Sequence, residues 1–439
     1  MSDDIYSRTV LFVQESVRWP LPGPPSDQVV RSGLRTHTVG ISVREDLARR
    51  IDVQLGLLTL VNLVARYGCP VALRIPRVPV AIDHPLVAPG SPLDEALDRL
   101  AAHIHPTVPG PAPASLTCEF GATSGDEAIG VTWTTWCGGV GRGNCPPQVD
   151  VGRALGPVVG AHLAAIEVFK AVLRRIAGDL GLSSRNLDGD LAAAEPRLSV
   201  LTYQPELDDH NRDVPPNLDL GETVLVSAGA ITNAALFGLV STTNLHGAGR
   251  VIDAGILDPP DLNRYSLALA RDEGIRKGLV LAHRLRRVAT LVPLTRKYED
   301  AELADRVGRV AVVGVDQVSS RSAVQRDWPE VLLCGATERD EIFATAHLKA
   351  SALACCECLY APEGVVPTSG PVPTLAPVSG LAGLVLAAEL LKAASPSLES
   401  LRLHNRLHMR ALQLGRPLNV SLGQALPRHG CPCGRASLR

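Results

Sequence analysis

The chain has 439 residues, 46% of them hydrophobic and 20% charged, with a formal net charge of −2. That length makes two or three domains with substantial cores. The composition excludes general disorder and any nucleic-acid partner bound by bulk electrostatics. Aromatic residues are only 3% of the chain, so the cores are expected to be built from Leu, Val, Ala and Ile.

The N-terminus, MSDDIYSRTVLF, has no basic stretch ahead of an apolar core, so no signal peptide is expected. Apolar stretches near 55–67 and 380–394 carry Asn62 and Arg66, or Glu389 and Lys392. They read as too short and too polar to span a bilayer. The expectation is a soluble, cytoplasmic protein with no membrane and no nucleic-acid partner.

In the first half, 54–67 reads as a buried helix ended by Gly68, 70–76 as a strand and 92–104 as a second helix. Strand-like runs follow at 115–121 and 129–136. The polar, Pro-bearing stretch 205–221 reads as a linker between a unit at 1–204 and one at 222–439. In the second unit, 222–228 is an expected strand, 233–241 a helix, 249–257 a strand, 276–288 a helix and 309–316 a strand. This alternation predicts an α/β fold with mostly parallel sheets, flanking helices, and ligands at the strands' carboxyl ends.

One pattern occurs twice. LGPVVGAHLAAIEVFK at 155–170 and LAPVSGLAGLVLAAELLK at 375–392 each read as a Leu-x-Pro-Val-x-Gly turn followed by a small-residue helix ending in Glu-x-x-Lys. The second copy is two residues longer between Gly and Glu. The similarity suggests either an internal duplication or two Ala-rich buried helices alike by chance.

Chemistry concentrates after Glu222. A strand runs into Ser227-Ala228-Gly229-Ala230-Ile231-Thr232-Asn233 and then a helix, the place of a phosphate-cradling turn. Of a Gly-x-Gly-x-x-Gly pattern only Gly229 remains, with Ser227 and Thr232 at the outer positions, so a plain strand-to-helix turn is the simpler reading. Downstream, Asp253 ends the next strand, Asn263-Arg264 follows, Lys277 opens a helix and Asp316 closes another strand. Lysine is scarce, at five of the 43 basic residues, which singles out Lys277. An acid for ribose, two cations for a phosphate chain and an acid for Mg²⁺ are what nucleotide adenylation requires.

With these residues in place, the segment resembles the ubiquitin-activating superfamily, which includes the bacterial ThiF-type adenylyltransferases that act on sulfur carriers. The resemblance covers 222–394 well and 50–177 loosely. It implies two tandem Rossmann-like adenylation-type domains, an inactive first half paired with an active second half. It assigns ATP to the turn at Gly229 and Ala230, ribose to Asp253, phosphates to Asn263, Arg264 and Lys277, and Mg²⁺ to Asp316. Lys277 stands thirteen residues after Arg264, as in the family. Asp261 replaces a usual Asn and Tyr265 a usual Gln, departures that bear on nucleotide affinity rather than on the fold. The first half would supply a cation to the second, with Arg31, Arg35 and Arg44 as candidates. Implied partners are a ubiquitin-like protein and a ubiquitin-conjugating-enzyme-like protein, as in bacterial conjugation systems that include antiphage ones; homodimer formation is left open.

The ten cysteines are clustered rather than framework-like. Cys355-x-x-Cys358 with Cys431-x-Cys433 offers four thiolates for a structural Zn²⁺, a site family members often carry. Cys356 could exchange for Cys355, and the alternative is a set of reduced surface thiols. For thioester transfer, Cys145 and Cys334 are the candidates, although Cys334 reads better as a core residue, like Cys69, Cys118 and Cys137. Two other functions fit part of the pattern: a non-catalytic scaffold of the same fold, and a dinucleotide-dependent oxidoreductase. The latter gives no reason for Arg264, Lys277 or the clustered cysteines.

Overall fold

Each half of the chain builds its own sheet. The computed structural model describes residues 3–16, 19, 23–104, 114–121, 128–142, 149–181, 195–205, 212–315, 317–359, 373–410 and 419–431. The first half contributes β1 (Val39–Val43), β2 (Val71–Arg74), β3 (Leu116–Phe120), β4 (Ile129–Trp133), β5 (Cys137–Arg142) and β6 (Arg197–Ser199). They lie in the order β2-β1-β3-β4-β5-β6, parallel through β4 and antiparallel beyond it. The expected strand at 129–136 is thus two strands, because the chain reverses at 134–136, where the Thr134 amide donates to the Cys137 carbonyl at 2.8 Å.

The second half supplies β7 (Asn217–Asp219), β8 (Thr223–Val226), β9 (Asn244–His246), β10 (Ala248–Ile252), β11 (Thr290–Leu294) and β12 (Val310–Val313). It continues with β13 (Val331–Glu338), β14 (Glu341–Leu348), β15 (Asn405–Arg410) and β16 (Asn419–Gly423). Eight of these form a sheet in the order β11-β10-β8-β12-β13-β14-β15-β16. It is parallel up to β13 and antiparallel from β13 to β16. β7 pairs with β9, so the tail of the expected linker is structured as part of the second half, while 206–211 lies outside the described residues.

The helices occupy the expected places with shifted ends: Ile51–Ala65, Leu93–Ile104, Ala230–Thr242 and Lys277–Leu285. The twice-used pattern forms the helices Leu155–Asp179 and Ala376–Ala393, with the Leu-x-Pro-Val segments in or at their first turns rather than in preceding turns. Proline is tolerated there because first-turn amides have no intrahelical acceptor. Both helices meet the length and apolarity of a membrane span, contrary to the expectation for this chain, and both are buried in protein. Their small residues let them pack closely: a Cβ on Gly380 would stand 2.1 Å from His162 Nε2.

The shared Glu-x-x-Lys, expected to end both helices, lies at the end of the second but in the middle of the first, which runs on to Asp179, and it is closed as an ion pair in each. Lys170 pairs with Glu167, whose other oxygen accepts from Arg142 at 2.9 Å. Lys392 pairs with Glu389 at 2.9 Å, and Tyr203 donates to the same carboxylate. One apolar cluster, containing Leu57, Leu163, Leu236 and Leu384, runs through both halves.

A polar clamp crosses between the halves. Arg66, just past the helix Ile51–Ala65, is fully buried. Its guanidinium donates to Asn62 Oδ1 at 2.8 Å, to the Ala268 carbonyl at 3.0 Å and to the Leu262 carbonyl. Asn62 Nδ2 donates to the Ser266 carbonyl at 2.9 Å. Burial pushes the Arg66 pKa down, to about 9, and it remains a cation at neutral pH. Arg66→Met would strand these carbonyls, at roughly 1–3 kcal/mol for each buried acceptor left unsatisfied. The expected loss in chemical denaturation is therefore at least about 3 kcal/mol, whereas Arg49→Met on the surface should stay within about 0.5 kcal/mol.

Candidate active site

The site is built on the turn after β8. Ser227 adopts φ +84°, a left-handed conformation that favours glycine. The backbone has thus kept the shape of the first glycine of the pattern although the residue is serine. Gly229 precedes the helix Ala230–Thr242, and its amide donates to Ser227 Oγ at 3.0 Å. Asn233 Nδ2 ties the turn down by donating to the carbonyls of Ala228 (2.8 Å) and Gly229 (3.0 Å). Thr232, at the third glycine position, is buried against Gly314, where a Cβ would come within 2.9 Å of Thr232 Oγ1. The small residue has moved from the helix to the facing loop.

The expected strand 249–257 stops at Ile252 because Asp253 folds the chain back on itself. Asp253 Oδ1 accepts from the Gly255 amide at 2.6 Å, and Oδ2 from the Ala228 amide at 2.7 Å. The acid at the strand end is therefore bonded directly to the turn at Gly229.

Lys277 opens the helix Lys277–Leu285 and reaches the same place. Its Nζ lies 2.9 Å from Asp261 Oδ2 and 3.0 Å from the Tyr265 hydroxyl, and 5.2 Å from the centre of that ring. Arg264 lies 3.4 Å from Asp261 Oδ1 and 5.8 Å from the Tyr265 ring centre. Burial works against the Lys277 ammonium, but the Tyr265 hydroxyl and Asp261 carboxylate hold its pKa above the ordinary value. A Cβ on Gly229 would stand 3.7 Å from the Tyr265 hydroxyl, and one on Gly255 3.3 Å from Lys277 Cε. Gly229, Ala230, Asp253, Arg264, Tyr265 and Lys277 thus meet around one turn.

Asn263 is buried, and its Nδ2 has no partner among the described residues; the same holds for Thr232 Oγ1 and Asn233 Oδ1. Unpaired first-turn amides of the helix Ala230–Thr242 add donors. Such a set fits an anionic ligand with ribose-like hydroxyls. Asp316 lies outside the described residues.

A further cation was not read from the sequence. Arg8, on the helix Ser7–Ser16, is half-buried in the field of Arg264, Asp261 and Tyr265, and burial together with Arg264 lowers its pKa. Ser7 and Arg8 line a cleft with Pro260. Of the expected candidates, Arg44 is held at the surface by Asp46 at 2.6 Å, and Arg31 and Arg35 sit on the helix Asp27–Thr36. An arginine seven residues from the chain start carries no local signal of this placement.

The Cys-rich region assembles as expected in part. Cys355 Sγ is 3.5 Å from both Cys358 Sγ and Cys431 Sγ, and the Arg428 amide donates to Cys358 Sγ at 3.2 Å. Sulfurs of a tetrahedral zinc site stand about 3.8 Å apart for Zn–S bonds of about 2.3 Å, so these three positions fit the metal. Cys433 and Cys145 lie outside the described residues. Cys356 does not stand in for Cys355: it is hydrogen-bonded to Cys334 on the other side. Cys334 is buried, as are Cys69, Cys118 and Cys137, which keeps it from a thioester partner in this conformation.

Two outcomes are expected. Asp261→Asn removes the carboxylate that holds Lys277 and Arg264, and should tighten binding of a non-hydrolysable ATP analogue about tenfold by calorimetry, in line with the weaker hold of a neutral acceptor on a cation. Cys431→Ser should lower the metal content by one ion per chain and lower the melting temperature while leaving nucleotide binding unchanged.

Residues 38–183 match the family model described as the BilD N-terminal domain. A Sinorhizobium fredii (strain NBRC 101917 / NGR234) protein, the uncharacterized y4jF, is 27% identical over 348 residues, or 76% of this chain. The chain spans 62% of that relative's length. Among solved structures, Escherichia coli MccB with ATP matches at 13% identity and a TM-score of 0.38, over 70% of this chain and 97% of MccB. MccB with succinimide matches at 12% and 0.39 over the same shares, and PaaA at 12% and 0.36 over 48% of this chain and 65% of its own. The family match thus lies within the first half of the chain, over the segment that holds β1 to β5.

Proposed function

We propose that this chain activates a ubiquitin-like protein by ATP-dependent adenylation of its C-terminal carboxylate, as the activating component of a Bil-type bacterial ubiquitin-like antiphage system. The observation that carries this reading is the meeting of Gly229, Asp253, Arg264 and Lys277 around one strand-to-helix turn. The BilD N-terminal domain supports the choice of system. In this reading 1–204 is the inactive partner domain, 205–221 the connection, and 222–439 the adenylating domain with its zinc-binding cysteines. Arg8 is then the cation that the first domain lends to the second. The site of action is the cytoplasm.

In the reaction, a carboxylate oxygen of the modifier attacks the α-phosphorus of ATP, the bond to the bridging oxygen of the β-phosphate breaks, and pyrophosphate leaves. Both reactants are anionic, so charge must be cancelled before they meet. Asp253 sits where a strand-end acid holds ribose hydroxyls. Lys277 and Arg264 exchange Asp261 for phosphate oxygens, and Arg264 can take two at once. The first-turn amides of the helix Ala230–Thr242 add their dipole. A bound Mg²⁺ would neutralise further phosphate charge, and Asp316 is the residue proposed to hold it. The acyl group then passes to a thiol of a conjugating-enzyme-like protein, directly or through a cysteine of this chain.

One feature favours the scaffold reading instead: Asp261 already neutralises Lys277 and Arg264. ATP–pyrophosphate exchange in the presence of candidate ubiquitin-like proteins separates the two. Loss of one electrostatic group of this kind lowers rates by about 10²–10³. Lys277→Ala should therefore nearly abolish exchange while retaining the fold and modifier docking, and cysteine substitutions should spare it. Exchange by Lys277→Ala at the parent rate would leave the scaffold as the better account.

A further inference from the structure

The buried face beyond β12 holds a second group of ligand-type side chains that the adenylation site does not use. β13 and β14 pair antiparallel with Cys334 opposite Thr345. His347 follows two residues later, so strand periodicity puts Cys334, Thr345 and His347 on one face. Cys356, the first residue of the helix Cys356–Leu359, covers that face. The two Sγ atoms and a ring nitrogen of His347 lie within 4.8 Å of one another. Cys334 and Cys356 are each 1% exposed and His347 4%, and Val313, Val324 and Leu332 pack in the same cluster as the cysteines.

A dry apolar core disfavours polar groups that lack strong partners. The imidazole is held as a metal ligand is held. His347 Nδ1 lies 2.9 Å from the Ala354 carbonyl, which can only accept, so Nδ1 carries the proton and the Nε2 lone pair, which accepts from the Thr345 hydroxyl at 3.0 Å, is the one a metal would take over. Asn405 Nδ2 donates to the same carbonyl at 2.7 Å and fixes it in place. On the other side, the buried Arg321 guanidinium donates to the Val315 carbonyl at 2.6 Å and brings a positive charge to this face.

We propose that Cys334, His347 and Cys356 form a second metal site, separate from the Cys355–Cys358–Cys431 group, for a soft closed-shell ion, Zn²⁺ or Cu⁺. On binding, each thiol releases its proton to solvent, and two sulfur–metal bonds and one nitrogen–metal bond form. Two thiolates cancel the charge of Zn²⁺ and leave a neutral group, the state that burial penalises least. Thr345 Oγ1, 3.0 Å from His347 Nε2, is the oxygen at hand for the fourth position of zinc. Cu⁺ needs no fourth ligand and would leave one negative charge facing Arg321. The adjacent residues Cys355 and Cys356 then serve different ions.

The test uses the full chain purified without chelator, with metals counted by elemental mass spectrometry and the wild-type shell read by X-ray absorption. Two ions per chain are expected, falling by one in His347→Gln and by one in Cys431→Ser. The element lost in His347→Gln identifies zinc or copper. If His347→Gln does not fold, the wild-type absorption spectrum decides alone, because imidazole scattering is expected only with His347 ligated. An all-sulfur shell, an unchanged metal content in His347→Gln, or a Cys334–Cys356 disulfide in the purified protein would each overturn the assignment.

Discussion

The buried guanidinium of Arg66 is the constraint on which the rest of the site depends. It belongs to the first half, yet its acceptors are carbonyls of the second half's 262–268 loop, the segment that carries Asn263, Arg264 and Tyr265. A buried cation with several directional acceptors fixes a loop more tightly than apolar packing can, because misplacement leaves charge unsolvated. Arg8 reaches the same cluster from the N-terminal helix. The candidate site is therefore a product of both halves, although most of its residues come from one.

That site is preformed and electrically closed. Asp253 takes the Ala228 amide, Ser227 Oγ takes the Gly229 amide, and Asp261 takes Lys277 and Arg264. A phosphate chain, if the proposed function holds, would exchange with these internal partners instead of filling bare positive charge. Such exchange makes binding weaker but more selective, since a ligand must replace several bonds together to gain anything. A single anion would compete with Asp261 at a disadvantage, whereas a triphosphate can engage both cations and the helix amides at once.

How much of this was legible follows from where the information lies. The turn at 227–233, Asp253 and Lys277 could be read because strand, turn and helix signals are local and their spacing is regular. The twice-used Glu-x-x-Lys was also visible, and the structure closes both copies as buried ion pairs. Asn62 and Arg66 were visible as polar interruptions of an apolar helix, but their partners lie some 200 residues away and have no one-dimensional trace. The left-handed Ser227 could not be read either, since serine carries no signal for φ +84°. The run WPEVLL before Cys334 could be read as a strand, but the rest of β13 and all of β14 could not, because Cys334, Thr345 and His347 place polar groups on a buried face and break the alternation that marks a strand.

The sheet register links the two chemical regions more closely than sequence distance suggests. Val313 on β12 pairs with Val226 on one side, immediately before the Ser227 turn, and with Cys334 on the other. One strand therefore separates the turn at Ser227–Gly229 from the Cys334–His347–Cys356 group. The segment leaving β12 is held from the same side, because Arg321 donates twice to the Val315 carbonyl, at 3.0 and 2.6 Å. An ion that tied Cys334 to Cys356 would join β13 to the helix Cys356–Leu359, whose Cys356 amide donates to Gln325 Oε1 at 2.8 Å, on the same helix as Arg321.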